Sequence, residues 1–141
     1  MERIERDRKK AFLRSYQKLR RGVAALESAI EELRANAILP ARPLNGMPRG
    51  GEPAGLEGYL DALQAKEAEL LQKRIAMIAA YDRVETAIWK MPEGYEREIL
   101  QRRYLAGEKW ETIADELHLD VRTVYRYHGY ALSSFKLPEG K

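Results

Sequence analysis

The stretch that decides the fold is KWETIADELHLDVRTVYRYHGYAL, residues 109–132. It predicts two short helices joined by a tight turn. Ile113, Ala114 and Leu117 place apolar side chains on one face of the first helix, and the small Ala114 lets a second helix approach closely. Asp120 is typical of an N-cap, because its carboxylate accepts from the free N–H groups of a first helical turn. A second helix is therefore expected to begin after Asp120.

The second helix is predicted to have an inward and an outward side. The inward side chains recur every three to four residues, at Val121, Val124, His128, Ala131 and Phe135. Residues 121–137 contain no Asp or Glu, which suits a polyanionic partner. This pattern indicates a DNA-reading helix-turn-helix, with an ordinary helical hairpin as the alternative interpretation.

The outward side chains are the candidate DNA contacts. We expect Arg122, Thr123 and Arg126 to enter the major groove, where an Arg can hold guanine through two hydrogen bonds. Contacts to phosphate position a protein without reading sequence. These contacts are predicted for Tyr125, Tyr130, Ser133 and Lys136.

This segment resembles region 4 of sigma-70-type RNA polymerase sigma factors, in Ile113-Ala114, Leu117 and the run Arg122-Thr123-Val124. The likeness continues upstream through MPEGYEREILQRRYLAGEKWETIADEL, residues 91–117. It implies that a Pro-led helix packs beneath the two helices through Ile99, Leu100 and Tyr104, and that residues 92–137 form a DNA-binding domain.

Two positions depart from the sigma pattern. His118 stands where the turn often has Gly, so a left-handed backbone there would be strained. Lys109 stands where a Ser or Thr cap is common. The turn is therefore the part of the motif in which the likeness is weakest.

The whole chain is similar to small phage and prophage transcription regulators of the RinA and ArpU type. The specific matches are MPRGGEP, residues 47–53, and TVYRYHGYAL, residues 123–132. The resemblance implies an N-terminal helical hairpin, a connector and a sigma-like module. It also implies a sequence-specific DNA-binding transcription regulator that acts at promoters through contact with RNA polymerase.

Residues 1–91 are predicted to form a long antiparallel helical hairpin resembling a coiled coil. Apolar side chains of its first helix alternate steps of four and three, at Phe12, Tyr16, Leu19, Val23, Leu26, Ile30, Leu33 and Ala37. Residues 39–55 are rich in Pro and Gly and predict a connector. A second helix over residues 56–91 has apolar side chains on one face, and Glu67 and Arg74 interrupt their spacing. These apolar residues are Leu60, Leu63, Leu70, Met77, Tyr81, Val84, Ile88 and Met91.

The apolar stripe of that second helix is broad, because Leu71, Ile75 and Ile78 widen it. Such breadth predicts contact with more than one helix. Either the hairpin also packs on the C-terminal module, or two chains associate as a homodimer that reads half-sites about one helical turn apart or a multiple of it. The pattern leaves both arrangements open.

Charge is distributed unevenly along the chain. Residues 1–50 carry 12 Lys and Arg against 6 Asp and Glu, whereas the balances of residues 51–91 and 92–141 are −2 and −1. Modest DNA affinity is therefore expected from the C-terminal module alone. The strongest basic cluster lies at the N-terminus, at Arg3, Arg6, Arg8, Lys9, Lys10, Arg14, Lys18, Arg20 and Arg21. It is either a second phosphate-contacting element or the solvated face of a helix.

Composition excludes several classes of protein. A chain of 141 residues with 45% hydrophobic and 33% charged residues is typical of a soluble helical protein of one or two small domains. It has no Cys, so disulfides and thiolate metal sites are excluded. There is no run of 18 apolar residues, and the N-terminus lacks the apolar core of a signal peptide. We expect a cytoplasmic location and no membrane partner.

No enzymatic activity, cofactor or metal is indicated. His118 and His128 are too far apart to pair as metal ligands on one helix. GGEPAG, residues 50–55, lacks the Lys and Ser or Thr of a phosphate-binding loop. Trp89 and Trp110 are predicted to be core anchors. The functional alternatives are a DNA-packaging component like a small terminase subunit, or a sigma-like module that binds protein and no DNA by itself.

Overall fold

The computed structural model describes residues 2–38 and 54–139, and these ranges are helical with no strand. A π-helical turn, Gln101–Leu105, continues the third of five α-helices. The all-α prediction is thus confirmed. The helices are α1, Arg3–Ile38; α2, Ala54–Trp89; α3, Tyr95–Leu100; α4, Trp110–Leu117; and α5, Val121–Ser134.

The two long helices differ from expectation mainly at their ends. α1 begins nine residues before the first member of the predicted seam, Phe12. Most of the predicted connector lies outside the described residues, and its last two residues already belong to α2. Within the part of the chain that the structure describes, no helix combines the length and the apolar character needed to cross a membrane.

The chain divides into two compact units. The first combines α1 up to Leu19 with the chain from Met77 onward, and the second is Arg20–Ala76. We call them the terminal unit and the two-helix unit. This division does not follow the predicted boundary after residue 91, because the first turns of α1 and the last turns of α2 share a core with the C-terminal helices.

The core of the terminal unit has two clusters. The larger one joins α1, α2, α3 and α5 through Leu13, Val84, Ala87, Ile88, Met91, Leu100, Tyr104, Ala131, Leu132 and Phe135. The smaller one joins α3, α4 and α5 through Ile99, Ile113, Ala114 and Val124. Burying a large apolar side chain contributes about 1.5–3 kcal/mol, so both clusters hold the C-terminal helices in place. The predicted burial of Ile99, Leu100 and Tyr104 is confirmed.

In its described residues, the two-helix unit consists of segments of α1 and α2, which pack antiparallel. Ion pairs join Arg74 to Glu27 and Arg34 to Glu67, and Val23, Leu26 and Ile30 of the predicted seam are buried. Exposed ion pairs contribute little stability, so apolar burial is the main term. Four large apolar side chains of α2 stay about half exposed or more in this unit, at Leu56, Leu60, Leu71 and Ile75.

One predicted core anchor is wrong. Trp89 is 54% exposed, and the guanidinium of Arg97 lies 4.1 Å from its ring centroid. An indole stacked by an Arg gains cation–π attraction and loses apolar exposure on one face, so it need not enter a core. Trp110 is half-buried and packs against the smaller cluster.

Candidate nucleic-acid interface

The turn between α4 and α5 is left-handed at one residue. His118 has φ 59° and ψ 42°. Its N–H donates to the carbonyl of Asp115 at 3.2 Å, and the N–H of Leu119 donates to the carbonyl of Ala114 at 2.9 Å. These bonds satisfy the last carbonyls of α4. His118 thus adopts the left-handed backbone for which Gly is more common at this position, and it carries the strain expected of a residue with a Cβ there.

The start of α5 is capped as predicted. The N–H of Thr123 donates to Oδ1 of Asp120 at 2.9 Å, and Asp120 has the extended backbone of an N-cap. Hydrogen bonds from Thr123, with a smaller attraction from Arg122 and Arg126, hold the pKa of Asp120 below its ordinary value. The carboxylate is therefore charged at neutral pH, and the first turn of α5 is fixed. At the start of α4, Lys109 provides no side-chain cap.

The inward side of α5 packs as the spacing predicted. Val124, Ala131 and the following Phe135 are buried, while Val121 and His128 are half-buried. α5 lies against α3 and α4 through the smaller cluster. The orientation of the opposite side of the helix is thereby set.

The outward side of α5 gathers most of the predicted DNA contacts. Arg122, Arg126, Tyr130 and Ser133 fall within one side of the helix at about 100° per residue, and all of them are exposed. Tyr125 is 49% exposed and lies at the edge of that side.

Four of the seven predicted contacts are either held by neighbouring groups, half-buried or located beyond α5. Thr123 is half-buried. Ser133 donates its hydroxyl to the carbonyl of Gly129 at 3.3 Å, so its oxygen is already tied to the helix. Lys136 is exposed but follows the end of α5. Tyr125 packs edge-on against Trp110 at 5.3 Å between ring centroids.

Arg102, which is close to the motif in sequence, forms ion pairs with three glutamates. Its guanidinium lies 3.1 Å from Glu98, 3.2 Å from Glu108 and 3.8 Å from Glu116. Arg103 instead lies over the ring of Trp110, 4.2 Å from the centroid, and donates to the carbonyl of Glu108. Arg102 therefore neutralises acids beside α4 rather than offering a free cation.

Tyr104 and His128 form a polar pair on the inward side of α5. The Tyr104 hydroxyl lies 2.8 Å from Nε2 of His128, and Trp110 packs edge-on against the same imidazole. Burial, together with the charges of Lys10, Arg103, Arg6 and Arg14, lowers the pKa of His128 to about 4. Burial raises the pKa of Tyr104. His128 is thus a neutral packing residue at pH 7.

Packing of the hairpin on the C-terminal module was one of two arrangements left open by the sequence, and the α1 residues that make this contact were not identified. Nζ of Lys9 is buried and donates to the carbonyl of Leu132 in α5 at 2.8 Å. Nε2 of Gln17 donates to the carbonyls of Tyr104 and Leu105 at 3.3 Å each. No local pattern in the sequence marks Lys9 or Gln17 for these contacts, because their partners are 87 to 123 residues away.

No protein-family model, curated protein or solved structure matches the chain. The resemblances to sigma region 4 and to the RinA and ArpU type therefore stay predictions.

Proposed function

We propose that the chain is a sequence-specific DNA-binding transcription regulator of phage or prophage genes. In this proposal α4 and α5 act as a sigma-70 region 4-like helix-turn-helix, with α5 as the recognition helix. The observation that carries it is the exposed side of α5, where Arg122, Arg126 and Tyr130 stand together on a helix with no acidic side chain.

The support comes from how α5 is held. Its inward side is locked by buried Val124 and Ala131, and its first turn is fixed by Asp120. A recognition helix uses its N-terminal residues to contact base edges in the major groove. Arg122, Thr123 and Arg126 occupy those first turns, whereas Tyr125, Tyr130, Ser133 and Lys136 would lie toward the phosphates.

The electrostatics argue for a further contact beyond α5. Glu111, Asp115 and Glu116 are exposed on α4, and residues 92–141 have a net charge of −1. DNA affinity depends strongly on phosphate neutralisation. We propose that RNA polymerase provides this further contact at a promoter. The choice of RNA polymerase comes from the family resemblance, not from the charge distribution.

A duplex selection tests the proposal. The full chain is incubated with randomised duplex DNA at about 150 mM salt, where non-specific binding is weak, and the retained molecules are sequenced. Enrichment of one short motif, lost in R122A/R126A, is the expected result. The double variant must retain the helical circular dichroism of the wild type. No enrichment by a folded wild-type chain would contradict DNA reading by the chain alone.

A second candidate function is a sigma-like module that binds protein and no DNA by itself. The observation in its favour is the exposure of two aromatic side chains outside α5, Trp89 at 54% and Tyr95 at 43%. The duplex selection separates it from the first candidate. A folded chain that enriches no sequence, yet loses its binding to purified RNA polymerase in W89A, would favour the protein-binding function.

A further inference from the structure

Three basic residues of α1 form a stripe on one side of that helix. Arg6, Lys10 and Arg14 are spaced by four residues each, and successive members are about 6 Å apart along the axis. Arg6 and Arg14 are exposed and Lys10 is half-buried. We call these three residues the basic stripe.

The basic stripe is held beside α5 within the terminal unit. On one side of Lys10, the buried Lys9 donates to the carbonyl of Leu132 near the end of α5. Three residues after Arg14, Gln17 donates to the carbonyls of Tyr104 and Leu105. These contacts fix α1 against the C-terminal helices at two points, one next to Lys10 and the other just beyond Arg14.

The electrostatic effect on α5 agrees with this placement. After burial, the causes that lower the pKa of His128 are the charges of Lys10, Arg103, Arg6 and Arg14. His128 lies in the middle of α5 on its inward side, opposite Arg126 and Tyr130. The stripe and Arg103 therefore act on the same helix that carries the predicted DNA contacts.

The charges of the stripe are uncompensated. Among the described residues, the ion pair nearest to it is that of Lys9 with Glu5, at 4.0 Å, and no carboxylate pairs with a stripe residue. Asp7 is the next acid along α1, and residues 8–26 contain none. Like charges lined up on one side of a helix repel one another unless a polyanion neutralises them. Arg102, with its three glutamates, shows the opposite arrangement in the same unit.

We propose that the basic stripe, together with Arg103, is a second contact to duplex DNA and binds the phosphate backbone flanking the groove that α5 enters. This role rests on the proposed function. The stripe spans about 12 Å, a length over which duplex DNA carries about seven phosphates. It supplies the positive charge that residues 92–141, at −1, lack.

The test compares two triple variants with the same change in charge. R6Q/K10Q/R14Q removes the stripe. R8Q/R83Q/K90Q removes three exposed cations of the same unit that lie off the stripe: Arg8 is on another side of α1, Arg83 is on α2, and Lys90 directly follows α2. Binding of each full chain to one fluorescent duplex, the selected motif or otherwise a fixed random sequence, is measured by anisotropy between 50 and 200 mM salt.

We expect the stripe variant to lose affinity and salt dependence together. Three lost phosphate contacts reduce the slope of log K against log salt by about 2.7. The ratio of wild-type to variant affinity should then be roughly 40-fold larger at 50 mM than at 200 mM salt. The control variant should change the slope by less than about 1. R6K/K10R/R14K retains the charges and should bind like the wild type, which separates lost charge from disturbed packing.

The outcomes distinguish this inference from the proposed function. If the wild type binds duplex and the stripe variant binds with the same slope, the inference is wrong and DNA reading by α5 stands. Equal losses in both triple variants would reduce the effect to net charge and also overturn it. A folded wild type that binds no duplex at any of these salt concentrations would overturn the proposed function and the inference with it.

Discussion

The hydroxyl of Tyr104 lies 2.8 Å from Nε2 of His128, on the side of α5 opposite its exposed Arg126. The tyrosinate and the imidazolium are both disfavoured, because burial raises the pKa of Tyr104 and lowers that of His128. We therefore assign Tyr104 as the donor and the neutral imidazole as the acceptor. A buried acceptor that kept no partner would cost about 1–3 kcal/mol, so this pair helps to fix α5 on the π-helical turn.

Stability should fall in mild acid because of His128. Its pKa is near 6.5 in an unfolded chain and about 4 in the folded one. Above pH 6.5 the group is neutral in both states and contributes its full stability. Between pH 6.5 and 4 only the unfolded chain takes up the proton, so the free energy of unfolding falls by roughly 3 kcal/mol and then levels off.

Urea denaturation of the wild type and of H128Q at several pH values between 7 and 4 measures this effect. The Gln side chain keeps an acceptor for Tyr104 and does not titrate. Because the carboxylates titrate alike in both proteins, their contribution cancels in the comparison. The difference in unfolding free energy between the two proteins should therefore change with pH in this window. Parallel curves would show that His128 is protonated in the folded chain as readily as in the unfolded one.

Lys9 should be important for stability although it is one of many basic residues in its helix. Its Nζ is the donor to the carbonyl of Leu132, which belongs to the last turn of α5, where carbonyls have no partner within the helix. A cation there also interacts favourably with the helix dipole. We expect K9A to destabilise the chain by about 2 kcal/mol.

The matched control is K18A, in the same helix, because Lys18 is exposed. Removal of an exposed Lys typically changes stability by less than about 0.5 kcal/mol. Thermal and urea unfolding of both variants give the comparison. Similar small effects for K9A and K18A would mean that the Lys9 ammonium is not held at Leu132 in solution.

His118 offers a stabilising substitution. Its left-handed backbone, with φ 59°, is unfavourable for residues that carry a Cβ. Gly lacks that penalty of about 1–2 kcal/mol but loses more chain entropy on folding, so H118G should stabilise by roughly 0.5–1 kcal/mol. H118A retains the Cβ and should give no gain. An equal gain from both substitutions would point to loss of the imidazole as the cause.

Local patterns in the sequence predicted much of the terminal unit. The cap at Asp120 and the inward positions of α5 depend on interactions within a few residues, and the structure confirms them. The burial of Ile99 and Leu100 followed from the resemblance to a sigma module, and it is confirmed as well.

Long-range contacts account for what was missed. Lys9 is only 5% exposed because it meets a carbonyl 123 residues away, and a Lys in a basic run gives no sign of such a partner. Leu13, outside the predicted seam, is buried against the C-terminal helices for the same reason. Trp89 lies outside the core, and the contact that stabilises its ring is the Arg97 guanidinium stacked on one face. The spacing of apolar residues shows which face of a single helix is buried but not which other helix covers it. The division into two compact units therefore could not be predicted from that spacing.

The roles assigned to α5 predict a split between base preference and overall affinity. Arg122 and Arg126 are exposed in the first turns of α5, where base edges would be in reach, whereas Lys136 follows the end of the helix. R122A or R126A should therefore reduce discrimination at one base position of the selected motif by about 1–3 kcal/mol. K136A should weaken binding to the motif and to random duplex alike, as loss of a phosphate contact does. Competition assays with single-base variants of the motif measure both quantities. If both Arg variants lost the same affinity for specific and random DNA, these guanidinium groups would be phosphate contacts, and the base-reading role would have to move to other residues of α5.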